Sequence, residues 1–123
     1  MAKRAARRAA EPPASLARAL RAAEVAEAKR AEDVVVLDLR GQTLVTDYFV
    51  ICTGGSRVQL RAIREAVAEA LQDAPRRGVP EGDEAAGWVL LDYGDVVVHV
   101  FAPEARGFYR LERLWADAPV VSR

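Results

Sequence analysis

The chain has 123 residues, of which 51% are hydrophobic and one is cysteine, and its 18 basic and 18 acidic side chains leave no net charge. This length predicts one domain that buries about two-thirds of its unfolded surface, so folding requires no disulfide or structural metal. No apolar run reaches the roughly 20 residues that span a bilayer, and the start has no signal-peptide core, so we expect a cytoplasmic protein with no membrane segment.

The balanced charge conceals an asymmetry along the chain. Residues 1–30 carry eight basic and three acidic side chains, whereas the other 93 residues carry ten and fifteen. Residues 1–14 predict a flexible basic arm that suits a phosphate backbone, although short Ala-rich charged ends are more often solvated disorder. Gly78–Ala105 has the opposite bias, with no lysine or arginine. Its carboxylates fit a basic protein surface better than nucleic acid. They are Glu81, Asp83, Glu84, Asp92, Asp95 and Glu104.

Hydrophobic periodicity and turn residues predict one domain over residues 15–116 and a loose tail over 117–123. Helices are expected at Ser15–Arg30, Ser56–Asp73 and Pro103–Ala116, and strands at Asp33–Leu39, at Tyr48–Thr53 and in a hairpin at Gly87–Phe101. The first two strands are close enough in sequence to pair antiparallel, and the second helix allows a right-handed parallel crossover into the strand at Trp88. Ala74–Ala86, with two prolines and two glycines, reads as an irregular loop. The order αββαββα predicts an α/β fold, a small mixed β-sheet flanked by helices.

The hairpin segment GWVLLDYGDVVVHVF places Gly94-Asp95 in a two-residue turn, because glycine readily adopts the positive φ that such a turn needs. Counting outward from this turn defines two faces. The first is aliphatic apart from a tyrosine and is assigned to the core; it consists of Val89, Leu91, Tyr93, Val96, Val98 and Val100. The second carries the cross-strand pairs Trp88–Phe101, Leu90–His99 and Asp92–Val97.

The second hairpin face is the main functional candidate, since a hairpin that serves one core needs only one apolar face. Its aromatic side chains and few polar groups are typical of an interface centre. The alternative is that a helix covers this face, because strands buried on both sides also read as continuous apolar runs. The pattern favours neither interpretation. The predicted partner-binding residues are Trp88, Leu90, Asp92, Val97, His99 and Phe101, with Tyr93 and Asp95 at the rim.

Candidates for catalysis are few. Gly54-Gly55-Ser56, between a strand and a helix, is similar to the glycine-serine turn of nucleotidyltransferase domains, but it lacks the features of a P-loop or of GxGxxG. The paired carboxylates that would hold metal ions on the next strand are missing. His99 and Cys52 have no partner group at motif spacing, so a hydrogen-bonded histidine and a buried thiol are expected. We predict no catalytic residue, no cofactor and no metal site.

Three segments have the order and spacing of one family: DLRGQTLVTDYFVICTGGSRVQLRAI, EGDEAAGWVLLDYGDVVVHVF and RGFYRLERLW. Together, from about Asp33 to Trp115, they resemble the ribosomal silencing factor S family, also called Iojap-like proteins. The resemblance implies a nucleotidyltransferase-like fold without catalytic carboxylates, and a protein that is not an enzyme. It also implies binding to a conserved, basic protein on the intersubunit face of the large ribosomal subunit, the fourteenth of the large-subunit series. There the factor would sterically block joining of the small subunit and repress translation.

Two other interpretations stay open. One is a small nucleotide-binding or nucleotidyltransferase-like enzyme that uses the Gly54-Gly55-Ser56 turn. The other is a homodimer joined through the second hairpin face, which is compatible with ribosome binding if the same surface serves each contact in turn. The basic arm departs from the family pattern, and a minor contact with ribosomal RNA is the role that its charge would fit.

Overall fold

The computed structural model describes residues 14–76, 78–109, 113 and 115–123, without the side chains of 107–109. The predicted basic arm, up to residue 13, and part of the predicted third helix lie outside these residues. The helices described are α1 (Ala14–Ala28), α2 (Arg57–Ala70) and α3 (Pro103–Tyr109). The strands are β1 (Glu32–Asp38), β2 (Tyr48–Thr53), β3 (Val79–Asp83), β4 (Trp88–Asp92) and β5 (Val96–Phe101). Within the described ranges, no helix has the length and apolar character needed to cross a membrane.

The strands form one mixed sheet in the order β1-β2-β5-β4-β3. β1 and β2 pair antiparallel, as their short connection predicts, and β2 runs parallel to β5. β3, β4 and β5 follow one another as an antiparallel meander. The predicted α/β class with a small mixed sheet and flanking helices is therefore confirmed.

Strand β3 lies within Ala74–Ala86, so the prediction of an irregular loop there was wrong. Pro80 is tolerated because β3 is an edge strand, where a missing backbone N–H can face solvent. Gly82 has φ +74°, and a Cβ at this position would lie 2.2 Å from the carbonyl oxygen of Trp88. Proline and glycine lower the strand propensity of this segment, but pairing with β4 decides its structure.

The extra strand also corrects the predicted crossover. Because β3 is antiparallel to β4, and β4 to β5, strand β3 runs in the same direction as β2. The chain that leaves β2 and passes through α2 thus enters the far edge of the sheet rather than the strand at Trp88. Two tight connections then bring β5 back beside β2, in the centre of the sheet.

The main core lies between the sheet and helices α1 and α2. The Ser56 hydroxyl accepts a hydrogen bond from the backbone N–H of Gln59 at 3.1 Å and caps the first turn of α2. Leu60, Ile63 and Val67 of α2 are buried against the sheet. The hairpin face predicted to be core is buried here as well, at Val89, Leu91, Tyr93, Val96, Val98 and Val100.

The C-terminal residues 117–123, predicted as a loose tail, lie along the edge of β1. The backbone N–H of Asp38 donates to the carbonyl of Pro119 at 2.9 Å, and the N–H of Val121 donates to the carbonyl of Val36 at 2.8 Å. Val120 forms a β-bridge with Leu37. These bonds satisfy backbone groups of β1 that an edge strand would otherwise leave open. The sequence of residues 117–123 alone does not reveal this pairing.

Candidate docking surface

The sheet face opposite α1 and α2, called the outer face here, carries the second face of the hairpin. The predicted register is confirmed, with the pairs Trp88–Phe101, Leu90–His99 and Asp92–Val97. Opposed residues on neighbouring strands share a face, so the outer face continues onto both adjacent strands. It gains Val79, Glu81 and Asp83 from β3, and Phe49 and Ile51 from β2.

An aromatic cluster occupies the middle of the outer face. The rings of Trp88 and Phe101 stack with centroids 5.4 Å apart, and the ring of His99 stacks on Phe101 at 5.9 Å. Phe49 meets the His99 ring edge-on at 4.6 Å. These contacts fix the rings relative to one another, because stacked and edge-on arrangements are the favoured geometries of aromatic pairs.

His99 is buried within this cluster as a neutral imidazole. Its Nδ1 accepts a hydrogen bond from the indole Nε1–H of Trp88 at 3.3 Å. Burial lowers the pKa of His99 to about 4, and the nearby Asp92 carboxylate opposes this shift only in part. At neutral pH the residue therefore carries no charge, as expected for a structural histidine surrounded by apolar side chains.

Half of the outer face is covered by the chain itself. Trp115 packs edge-on against Phe49 at 6.0 Å, and Ala118 is buried in the same small cluster. The predicted contact residues on β5 are buried, with Val97, the most accessible, only 8% exposed. The predicted contact residues on β4 are partly exposed. On the second hairpin face β5 is therefore buried and β4 is accessible, and the covering residues Trp115 and Ala118 lie in turns and not in the helix of the alternative interpretation.

The accessible half of the outer face alternates apolar and acidic side chains. We call it the β3–β4 strip, formed by Val79, Glu81, Asp83, Trp88, Leu90 and Asp92. In the strip each opposed pair brings a carboxylate beside an apolar side chain: Asp83 faces Trp88, Glu81 faces Leu90, and Asp92 faces Val79. Glu81 and Asp83 were predicted to suit a basic surface, but their position on the outer face, and Val79 altogether, were missed because this segment was predicted to be a loop. VPEGD offered no clear signal, because Val79 and Pro80 are both apolar and every residue of this strand is exposed.

Two residues predicted at the rim lie elsewhere, which corrects that part of the set. Tyr93 is only 4% exposed and faces the main core, where its ring lies so close to Gly78 that a Cβ there would be 2.5 Å away. Asp95 forms an ion pair with Arg18 of α1. Their positions in the hairpin turn direct both side chains toward the helices, a consequence of the same alternation that defines the faces.

The remaining carboxylates of the acidic stretch differ in what they contact. Glu84 pairs with Arg64 of α2 at 2.9 Å; its own backbone N–H and this guanidinium lower the pKa of its carboxyl group. Asp83 accepts a hydrogen bond from the N–H of Ala86 at 2.7 Å, and Glu81 is exposed. Glu81 is therefore the member of the strip best placed to meet an external cation.

The groups considered for catalysis have local structural roles. The N–H of Gly55 donates to the side-chain oxygen of Gln59 at 2.6 Å, and Ser56 caps α2, so this turn stabilises the start of a helix. Burial raises the pKa of the Cys52 thiol to about 12, which leaves it protonated and poorly nucleophilic. In the described part of the chain, no three His, Cys, Asp or Glu side chains converge as a metal site would require.

Comparisons with known proteins agree on one family. The family model described as "Ribosomal silencing factor during starvation" matches residues 12–123. The chain is 49% identical over 101 residues to ribosomal silencing factor RsfS of Bacillus subtilis, covering 81% of this chain and 86% of that protein. It is 46% identical over 97 residues to the protein of the same name from Halalkalibacterium halodurans, covering 76% and 80%. A crystal structure of a Chromobacterium violaceum protein superposes with a TM-score of 0.76 at 35% identity, covering 82% and 85% of the two chains.

Proposed function

Because this chain belongs to the ribosomal silencing factor family, we propose that it binds the large ribosomal subunit and sterically prevents the small subunit from joining. A role in ribosome silencing follows from membership, since the relatives carry that name. The contact surface is our inference from the fold. The observation that carries it is the β3–β4 strip, in which partly exposed apolar residues alternate with carboxylates.

The chemistry of the strip favours a basic protein as the partner. Apolar side chains at the centre of an interface supply most of the affinity, and surrounding charges steer the encounter. In the strip Trp88 and Leu90 form the apolar centre, and Glu81 and Asp83 place negative charge beside them. We propose that this surface meets a basic protein on the intersubunit face of the large subunit, the fourteenth of the large-subunit series.

The mechanism needs no chemical step, and we propose that the factor acts by occupancy alone. A domain of this size, held on the intersubunit face, excludes the small subunit by volume. The Gly54-Gly55-Ser56 turn caps α2, a structural role that accounts for these residues without a nucleotide and supports the regulatory function over the alternative of a nucleotide-using enzyme.

Binding can be tested with Trp88→Ala, which removes the largest apolar side chain of the strip. We expect an affinity loss of about 2 kcal/mol or more for isolated large subunits, roughly 30-fold, and a matching loss of inhibition in a subunit-joining assay. Co-sedimentation and light-scattering measurements of joining report the two effects. Val58→Ala is the matched control, because Val58 is 79% exposed on α2, away from the outer face.

A folded Trp88→Ala protein that binds large subunits as tightly as the wild type would contradict the proposed surface. Binding by the wild type without any effect on joining would contradict the proposed mechanism instead. Sedimentation of the free protein adds a third measurement. If the strip also joins two copies of the chain, added large subunits will convert the dimer into bound monomers.

A further inference from the structure

We propose that His99 is a positioning residue of the docking surface: it sets the orientation of the Trp88 indole without touching the partner. This inference rests on the proposed function, because it assigns Trp88 to the contact. His99 is 4% exposed, whereas Trp88 beside it is partly exposed. A partner that covers the strip therefore reaches the indole and not the imidazole.

The hydrogen bond between the two side chains fixes the tautomer of the imidazole. An indole Nε1–H only donates, so His99 Nδ1, at 3.3 Å, must be the unprotonated acceptor. A neutral imidazole with a bare Nδ1 carries its proton on Nε2. His99 thus offers Trp88 one fixed acceptor, held in place by Phe101 on one side and Phe49 on another.

The environment of the second ring nitrogen of His99 indicates that the imidazole does not serve to stabilise the fold. His99 Nε2 is buried and has no hydrogen-bond partner among the described residues. A buried donor without an acceptor costs about 1–3 kcal/mol, a cost that an apolar side chain of similar size would avoid. The imidazole is thus a poorer core residue than leucine here, while its other nitrogen orients the residue on which docking depends.

The orientation of the Trp88 ring matters because the same indole must stack on Phe101 and contact the proposed partner. The indole stacks on Phe101, at 5.4 Å with 21° between the planes, and is partly exposed in the strip. Without the Nδ1 acceptor the indole loses the hydrogen bond that ties its N–H to His99, and the ring is held less firmly in this rotamer. Ordering it on binding then costs free energy that a pre-oriented side chain does not lose.

The tautomer can be measured directly in the wild-type protein, because His99 is the only histidine in the chain. Long-range ¹H–¹⁵N correlation spectra at pH 7 should show a protonated Nε2 and a bare Nδ1. The Trp88 indole N–H, assigned by its absence in Trp88→Phe, should be hydrogen-bonded and slow to exchange. The opposite tautomer, or a rapidly exchanging indole proton, would overturn the proposal without reference to ribosomes.

Two variants then separate positioning from packing. His99→Leu removes the acceptor and keeps an apolar core, so we expect unchanged or higher stability, a fast-exchanging indole proton, and about fivefold weaker binding to large subunits. His99→Asn places an amide at the distance of Nδ1 from the backbone. Its oxygen restores an acceptor, and binding should return to within about twofold of the wild type.

The outcomes distinguish this proposal from the proposed function. Failure of the wild type to bind large subunits rejects the function, while the spectra still decide the tautomer. Normal binding by a folded His99→Leu protein, or equal losses in His99→Leu and His99→Asn, rejects the positioning role alone. If His99→Leu does not fold, the wild-type spectra and His99→Asn remain decisive.

Discussion

Burial changes the acid–base chemistry of the only cysteine and the only histidine in the chain. Cys52 and His99 both lie in β-strands with apolar neighbours, and burial disfavours the charged form of each. The thiol consequently stays protonated, and the imidazole stays neutral. Neither group has the environment of a nucleophile or a general base, so the absence of motif partners in the sequence and the local physical chemistry point the same way.

The low pKa of His99 predicts a specific pH dependence of stability. The unfolded chain binds a proton at this residue near pH 6.5, whereas the folded protein does so only near pH 4. Protonation of His99 in the unfolded chain therefore favours unfolding as pH falls from 6.5 to 4. Above pH 6.5 the imidazole is neutral in both states, so it does not lower the stability of the folded protein there. A shift of this size corresponds to roughly 3 kcal/mol as an upper bound.

Denaturant titrations at pH 7, 5.5 and 4.5 measure this effect. Wild type should lose stability relative to His99→Leu across the series, because the variant lacks the group that titrates. Asp92 is the charged residue that opposes the pKa shift, and Asp92→Asn should enlarge the loss. Parallel pH profiles for wild type and His99→Leu would rule out the assignment.

At the scale of elements, strand β3 creates half of the accessible strip that we propose as the docking surface. Without β3, the strand β4 would be the sheet edge, and the carboxylates of VPEGD would lie in a loop with no fixed spacing from Trp88. Pairing with β4 sets Glu81 directly opposite Leu90 and Asp83 opposite Trp88. Pro80 and Gly82 also disfavour non-specific pairing of the edge strand β3 with strands of other chains.

Gly82→Ala tests the dependence of the strip on β3. A Cβ at φ +74° would lie 2.2 Å from the carbonyl oxygen of Trp88, so we expect a loss of about 2 kcal/mol in stability and weaker binding to large subunits. Gly41→Ala is the matched control, since no atom lies within 4 Å of a Cβ there. Thermal melts and co-sedimentation report the two quantities. A stable, fully binding Gly82→Ala protein would show that β3 does not order the surface.

At the scale of the whole molecule, the two sheet faces have divided roles. The face under α1 and α2 holds the main core, and the outer face is shared between a small second core and the β3–β4 strip. The C-terminal residues close the β1 edge and place Ala118 in the second core. The strip at the opposite edge stays accessible, and its acidic side chains suit the basic surface that we propose it meets.

Electrostatic steering by the strip predicts a salt-dependent association rate. Glu81→Gln removes an exposed carboxylate from the strip, and we expect association with large subunits to slow about twofold to threefold at low salt. The difference should vanish at high salt, where charges are screened. Glu69→Gln on α2 is the control with the same change in net charge. Equal slowing by both variants would indicate a general charge effect instead of steering by the strip.

Local patterns were sufficient for much of this architecture. The Gly94-Asp95 turn fixed the register of the hairpin, since a two-residue loop leaves one way to pair the flanking strands, and alternation then separated core residues from outer ones. Ser56 and the spacing of Leu60, Ile63 and Val67 likewise located α2. These features depend on residues close together in sequence, whose geometry the backbone dictates.

Tertiary structure alone decided what covers each surface. Propensity argued against β3, and only a partner strand makes VPEGD extended. Trp115 and Ala118 come from outside the hairpin, so no periodicity in the hairpin reveals that they pack in the second core with Phe49 and Phe101. The sequence by itself determined that the hairpin has two apolar faces, because alternation is local. Which half of the second face stays open to a partner depends on long-range packing, and the fold alone determines it.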